Sequence, residues 1–372
     1  MANNSFFGVG CFHFWPAGKA PFIFEMERYI SDLRAALESV PAISNIQIDF
    51  DEETPSFQIE NDLTELSDGE DFLPVPAFLE IRFDIYIPFR IQQVLASDYT
   101  PEDTLSESFR VNIQYAYDAP VCFVEPLNPT GVASASDAVQ VVREYLNQQI
   151  NSLGKAVRFD SIGPSPFHAD FSLHSRPNAD YRGFQVEHDR NRGYDKIRFF
   201  FSEHEFESVD SAKEELFSNL TDELGLYYQL MLSRAKGIHE WEKIENVLSK
   251  LFDAWGKRSL RQRFANVFLQ GWYINKLITA IVSLEADQLF RKNSVDERYR
   301  SIYSKNEQTF IPYFIDNGIK ELSPYPTKQI SDLALFLEGR RSRALELLVV
   351  LLASLTGGVA GSLFTILLAK NH

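Results

Sequence analysis

Residues 77–89 read AFLEIRFDIYIPF. Leu79, Ile81, Phe83, Ile85 and Ile87 alternate with Glu80, Arg82 and Asp84. A period of two predicts an antiparallel strand with one face in a core and the other in water. Residues 109–117, FRVNIQYAY, repeat the alternation. Working outward, Ile46 to Phe50, Ser56 to Glu60 and Val121 to Val124 read as shorter strands, and the aromatic-rich run from Ser5 to Trp15 reads as another. Helices are predicted where the apolar spacing changes to three and four. Phe24 to Val40 places Met26, Tyr29, Ile30, Leu33 and Leu37 near one face, and Ser136 to Leu153 does the same with Ala138, Val141, Val142, Tyr145, Leu146 and Ile150.

Further strands are expected at Val157–Ile162, Phe167–His174, Phe184–His188 and Lys196–Phe201, with turns at Gly163-Pro164, Arg176-Pro177 and Asn191-Arg192-Gly193. Residues 1–205 therefore read as an α+β domain with a mixed, mostly antiparallel sheet and helices. Residues 206–326 read as an all-α bundle or stalk. Ser211-Ala212-Lys213-Glu214 has the form of a capping box and opens a helix to about Arg234. Gly237 punctuates it before a second helix, Glu240 to Trp255, and a third, Ser259 to Lys292. A polar connection from Lys292 to Gln308 leads to a short helix, Phe310 to Leu322, ended by Pro324 and Pro326.

The end of the chain carries the plainest compositional signal. Leu347 to Ala369, LLVVLLASLTGGVAGSLFTILLA, has no charged side chain. As a helix it is roughly 35 Å long, against a hydrocarbon core of ~30 Å. The expectation is a single C-terminal transmembrane helix at 347–369, preceded by a juxtamembrane helix at 327–346. Arg340, Arg341 and Arg343 before the span place the bulk of the chain in the cytoplasm, a tail-anchored, single-pass arrangement with the lipid bilayer as partner. A buried core helix is the alternative. Steps of three and four from Ile330 also trace a seam that ends in small residues. Ser354, Gly357, Gly358, Gly361 and Thr365 are the candidate oligomerisation residues of a homo-oligomer.

Composition sets limits. The net charge of −16 disfavours a nucleic-acid binder that works by neutralising phosphates. Two cysteines, Cys11 and Cys122, are too few for a disulfide framework. Acidic residues dominate from Asp49 to Asp71, which predicts a solvated loop.

Catalytic signatures are missing: no GxxxxGK[ST], GxGxxG after a strand, HExxH, CxxC or GxSxG occurs, and no cofactor is identifiable. Two patterns remain. On a strand, His168, Asp170, Ser172 and His174 share a face, and His168 with Asp170 is the candidate metal pair. The segment 176–198 is locally basic, with Arg176, Arg182, Arg190, Arg192, Lys196 and Arg198 beside Tyr181 and Tyr194. Arginine forks suit phosphates and carboxylates, so these are the candidate ligand residues. The competing reading is charged hairpins neutralised by Asp180, Glu187, Asp189 and Asp195. The order of parts resembles CorA-type ion transporters, but the second span and Gly-Met-Asn motif of that family are absent, so the resemblance implies no functional residue.

Three functions are consistent with this reading. The first is a membrane sensor or effector, such as a bacterial defence protein, whose body binds a cytosolic protein partner or small ligand while its anchor self-associates. The second is a membrane-tethered enzyme, and the third an oligomeric ion channel or transporter subunit.

Overall fold

A computed structural model describes residues 4–16, 23–51, 56–58, 78–95, 106–116, 119–129, 135–154, 156–161, 169–177, 182–191, 194–256, 260–305, 308–322 and 325–369. Most of the acidic loop, Glu52 to Asp71, lies outside them. The chain divides into two compact units, Met1–Leu230 with Arg298–Gly318, and Met231–Glu297 with Ile319–His372.

The first unit is built on an eight-stranded mixed sheet. Its elements in chain order are β1 (Asn4–Gly10), β2 (Phe12–Pro16), β3 (Ile23–Glu25), α1 (Met26–Glu38), β4 (Ile43–Phe50), β5 (Ser56–Gln58), β6 (Phe78–Tyr86), α2 (Phe89–Leu95), β7 (Ser108–Ala116), β8 (Ala119–Leu127), α3 (Ala135–Ser152), β9 (Val157–Ser161), β10 (Ala169–Arg176), β11 (Phe184–Asn191) and β12 (Tyr194–Ser202). The strand order is β11-β12-β10-β1-β8-β7-β6-β4. β10 and β12 run parallel, and the other neighbours in this sheet are antiparallel.

The aromatic N-terminal run forms two strands instead of one. β1 pairs with β10 and then β8, the chain breaks at Cys11, and β2 leaves to form a ribbon with β9. Glycine makes the first part possible. A Cβ on Gly8 would overlap the carbonyl oxygen of Ala135 at the start of α3, so α3 lies directly on the β1 backbone.

The inner face of the sheet carries the alternation seen in the sequence. Leu79, Ile81, Phe83 and Ile85 of β6 are all 1 % exposed or less, and they share a core with Leu33 and Leu37 of α1 and Val141 and Val142 of α3. The outer face of β6, β7 and β8 is polar. It is covered by the first part of a 48-residue helix, α4 (Val209–Gly256). That helix starts before the predicted capping box. Ser208 Oγ accepts the backbone N–H of Ser211 at 3.0 Å and serves as the cap. Glu214, expected to close the box, turns to the sheet instead.

α4 also passes through Gly237 without a break. The ring of Tyr325 comes within 3.3 Å of where a Cβ would sit, and Trp241 stacks on that ring, so this glycine serves a close approach. α5 (Leu260–Lys305) takes in most of the expected polar connection. It is followed by α6 (Pro312–Glu321) and α7 (Thr327–Ala369). In the second unit, Ile244, Val247 and Leu251 of α4 pack with Ile274, Leu277, Ile281 and Leu284 of α5 and with Ala334 and Leu337 of α7.

The C-terminal expectation needs correction. α7 is one continuous helix, but among the described residues no helix is long and apolar enough to cross a membrane. Its described side chains end at Gly357, and the described part of α7 before Leu347 carries Glu346, Arg343, Arg341 and Arg340. Arg341 lies across Gly271 and donates to Glu338, and Leu337 is buried on α4 and α5. The transmembrane helix at 347–369, the tail anchor and the single-pass membrane location are therefore not supported. The mixed α+β sheet domain and the helices that follow it stand.

Candidate functional site

Strand register sets the outer face of the sheet as a grid. Glu80, Arg82 and Asp84 of β6 stand opposite Gln114, Asn112 and Arg110 of β7. Asn112 and Arg110 stand opposite Phe123 and Glu125 of β8. Alternation puts all of these on the face away from the α1 and α3 core. On this face α4 sets down Asp210, Lys213, Glu214 and Phe217. Between strands and helix is a cleft of about 270 Å³ lined by Arg82, Arg110, Asn112, Phe123, Glu125 and these four α4 residues.

Each cation in the cleft is held by carboxylates. Arg110 Nε donates to Asp84 Oδ1 at 2.9 Å. Arg82 donates to Glu80 at 2.7 Å and to Glu214 at 3.1 Å. Lys213 Nζ lies 2.9 Å from Glu125 Oε2 and 3.0 Å from Asp210 Oδ1. Glu125 also accepts from Ser5 Oγ at 2.5 Å. Burial alone pushes Asp84 up, but hydrogen bonds from Arg110 and Asn45 outweigh it and hold the carboxyl below its ordinary range. Arg82 is raised by its hydrogen bond to Glu80, against the opposing effect of burial. The floor is apolar: Phe123 and Phe217 stack with ring centroids 4.0 Å apart.

One polar atom stands out. Asn112 is 9 % exposed, and its buried Oδ1 has no hydrogen-bond partner among the described residues. Its neighbour Gln114 is satisfied, donating to Glu80 and accepting from Thr221 Oγ1 at 2.5 Å. A buried acceptor without a donor costs roughly 1–3 kcal/mol.

The residues singled out in the sequence lie elsewhere. Arg176 rests on the Phe200 ring at 3.6 Å and donates to Gln185 and Glu187. Arg198 pairs with Asp189 at 3.4 Å. Arg182 and Lys196 are exposed, and the Arg182 carbonyl accepts from Gln308 at 3.1 Å. Tyr181, Arg192 and His168, with the side chains of Arg190 and Tyr194, fall outside the described residues. Asp170 Oδ1 accepts the backbone N–H groups of Ala135 and Ser136 at 3.0 and 3.1 Å, so it caps α3 from a neighbouring strand. No group of three His, Cys, Asp or Glu that could hold a metal ion occurs among the described residues. Ser354 and Gly357 of the seam are exposed, and the side chains at Gly358, Gly361 and Thr365 fall outside the described residues.

Sequence reasoning passed over Arg82, Arg110, Asn112 and Lys213. The signal was present as the polar half of two alternating strands, which reads as an ordinary solvent face until a helix is laid across it. A second buried polar residue is His13, whose ring stacks on Trp15 at 3.7 Å. Burial, with Arg158 adding, holds its pKa down to about 3, which keeps it a neutral member of the core.

No protein-family model, curated protein or solved structure matches this chain.

Proposed function

We propose that the chain is a non-catalytic binding protein whose small-molecule site is the cleft between β6–β8 and α4. The observation that carries this reading is Asn112, which lines a charged cleft and whose buried Oδ1 has no donor among the described residues. Small-ligand sites combine a concave apolar surface with a few placed polar groups, and Phe123 and Phe217 supply the apolar part. The nucleophile types in the lining, Lys213 and the carboxylates Glu125, Asp210 and Glu214, are engaged in ion pairs, so recognition is better served than nucleophilic chemistry.

The test is thermal melting of the full chain with a panel of amino acids, amines, sugars and nucleotides. A ligand that binds only the folded state raises the melting temperature. At least one class should do so, and Asn112→Leu should lose the shift while melting no lower than wild type. A shift retained in full by Asn112→Leu contradicts the assignment.

A second reading concerns assembly. Leu347, Val349, Val350, Leu351, Leu352 and Leu355 of α7 are between 53 % and 70 % exposed. Successive residues point around the whole circumference of a helix, so one neighbouring helix cannot cover them all. Further copies of α7 present a matching surface, and a homo-oligomer follows. Sedimentation of the full chain should show the oligomer, and Val350→Asp with Leu351→Asp should dissociate it. A wild-type monomer at tens of micromolar overturns this reading.

A further inference from the structure

We infer that the cleft takes a small organic cation, an alkyl ammonium or guanidinium compound; this rests on the cleft being the ligand site. Charge is the first reason. Arg82, Arg110 and Lys213 share the cleft and its edge with Glu80, Asp84, Glu125, Asp210 and Glu214, so three cations meet five carboxylates. An anion would have to displace a protein carboxylate from every cation it approached. A cation meets the excess directly, in a chain that carries −16 overall.

The open groups are the second reason. Asp210 and Glu214 each spend one oxygen on a protein cation, Oδ1 on Lys213 and Oε1 on Arg82. Among the described residues their other oxygens, Oδ2 and Oε2, make no hydrogen bond or ion pair. Their side chains are 80 % and 64 % exposed, which places them at the mouth of the cleft. Asn112 also lines the cleft, with its Oδ1 buried and without a partner among the described residues. The two open carboxylate oxygens at the mouth ask for donors, and ammonium and guanidinium groups are donors only.

Size and shape supply the third reason. About 270 Å³ suits a short chain, and the stacked Phe123 and Phe217 rings offer methylene groups an apolar floor. The described residues offer no cluster of three ligands for a bare metal ion. The charge is therefore best carried on an organic skeleton that hydrogen-bonds at its end and packs along its length.

The experiment is calorimetric titration of the full chain with agmatine and putrescine, and in parallel with AMP and inorganic phosphate. Agmatine or putrescine should bind and the anions should not. Asp210→Asn with Glu214→Gln should weaken binding about tenfold, the loss of charge-assisted hydrogen bonds, without lowering the melting temperature. Raising the salt should weaken it too, because these carboxylates lie near solvent. Anion binding that depends on Arg82 and Asn112 would overturn the cation assignment and leave the cleft as the site. Cation binding unchanged in both Asp210→Asn/Glu214→Gln and Asn112→Leu would overturn the site itself. Binding of neither class overturns the cation assignment.

Discussion

Glu223, fully buried on α4, accepts the backbone N–H of Phe310 at 2.6 Å on one carboxylate oxygen, and its other oxygen accepts that of Ile311 at 2.8 Å. Both amides lie just before Pro312, the first residue of α6. The carboxylate therefore satisfies donors that a helix start leaves without intrahelical partners. Burial raises its pKa to about 7, with Asp222 adding to the rise and the two amides working against it. Tyr303 is close by, and its own pKa is pushed up by burial and then by Glu223.

Stability should consequently fall as pH rises. The folded state holds the Glu223 proton more tightly than the unfolded chain, so this contribution is full below the ordinary carboxyl value of 4.5 and is lost through about 7. The loss is on the order of 3 kcal/mol. Glu223→Gln, neutral throughout, should flatten that part of the profile and melt higher than wild type in mild alkali. Parallel profiles for wild type and variant would show that the carboxyl does not titrate in this range.

Asp170 predicts a different outcome from a metal ligand. Its carboxylate caps α3 through Ala135 and Ser136. Asp170→Ala should destabilise the chain to denaturant by about 1–2 kcal/mol, and Asp170→Asn by less, because the amide oxygen still accepts. Equal stability of all three forms would remove the cap from the account.

Gly8→Ala tests the packing of α3 on β1. The added methyl would overlap Ala135 O and the Val139 side chain, and backbone atoms cannot move aside cheaply. A cost of roughly 1–3 kcal/mol or more is expected from denaturant unfolding. Gly154→Ala is the useful contrast: nothing lies within 4 Å of its Cβ position, and only its φ of +57° is strained. A Gly8→Ala variant more stable than the Gly154→Ala variant would contradict the close approach.

The sheet was largely legible because its physics is local. Leu79 to Ile85 and Val111 to Ile113 alternate, and α1 and α3 each carry one continuous apolar face. What was not legible depends on distant partners. Nothing near Gly237 reveals that Tyr325 will pack on it, so a glycine that marks a break in sequence sits inside a helix. Glu214 fits a capping box by spacing, but Arg82, more than a hundred residues earlier, claims its carboxylate. The site was hidden for the same reason. Asn112 looks like any outward residue of a half-buried strand, and only the placing of Phe217 and Lys213 over β7 and β8 turns that face into a cleft. The C-terminal apolar run misled because composition gives hydropathy alone, and among the described residues no helix is long and apolar enough to cross a membrane.

The most direct test of the cleft is the side-chain amide of Asn112 itself. In full-length protein with isotope-labelled asparagine, its resonance should be assigned by its loss in Asn112→Leu and followed during titration with agmatine. The account predicts a saturable shift of that resonance, at the same midpoint as the calorimetric titration. Binding that leaves the Asn112 amide unmoved while other asparagines shift would contradict it.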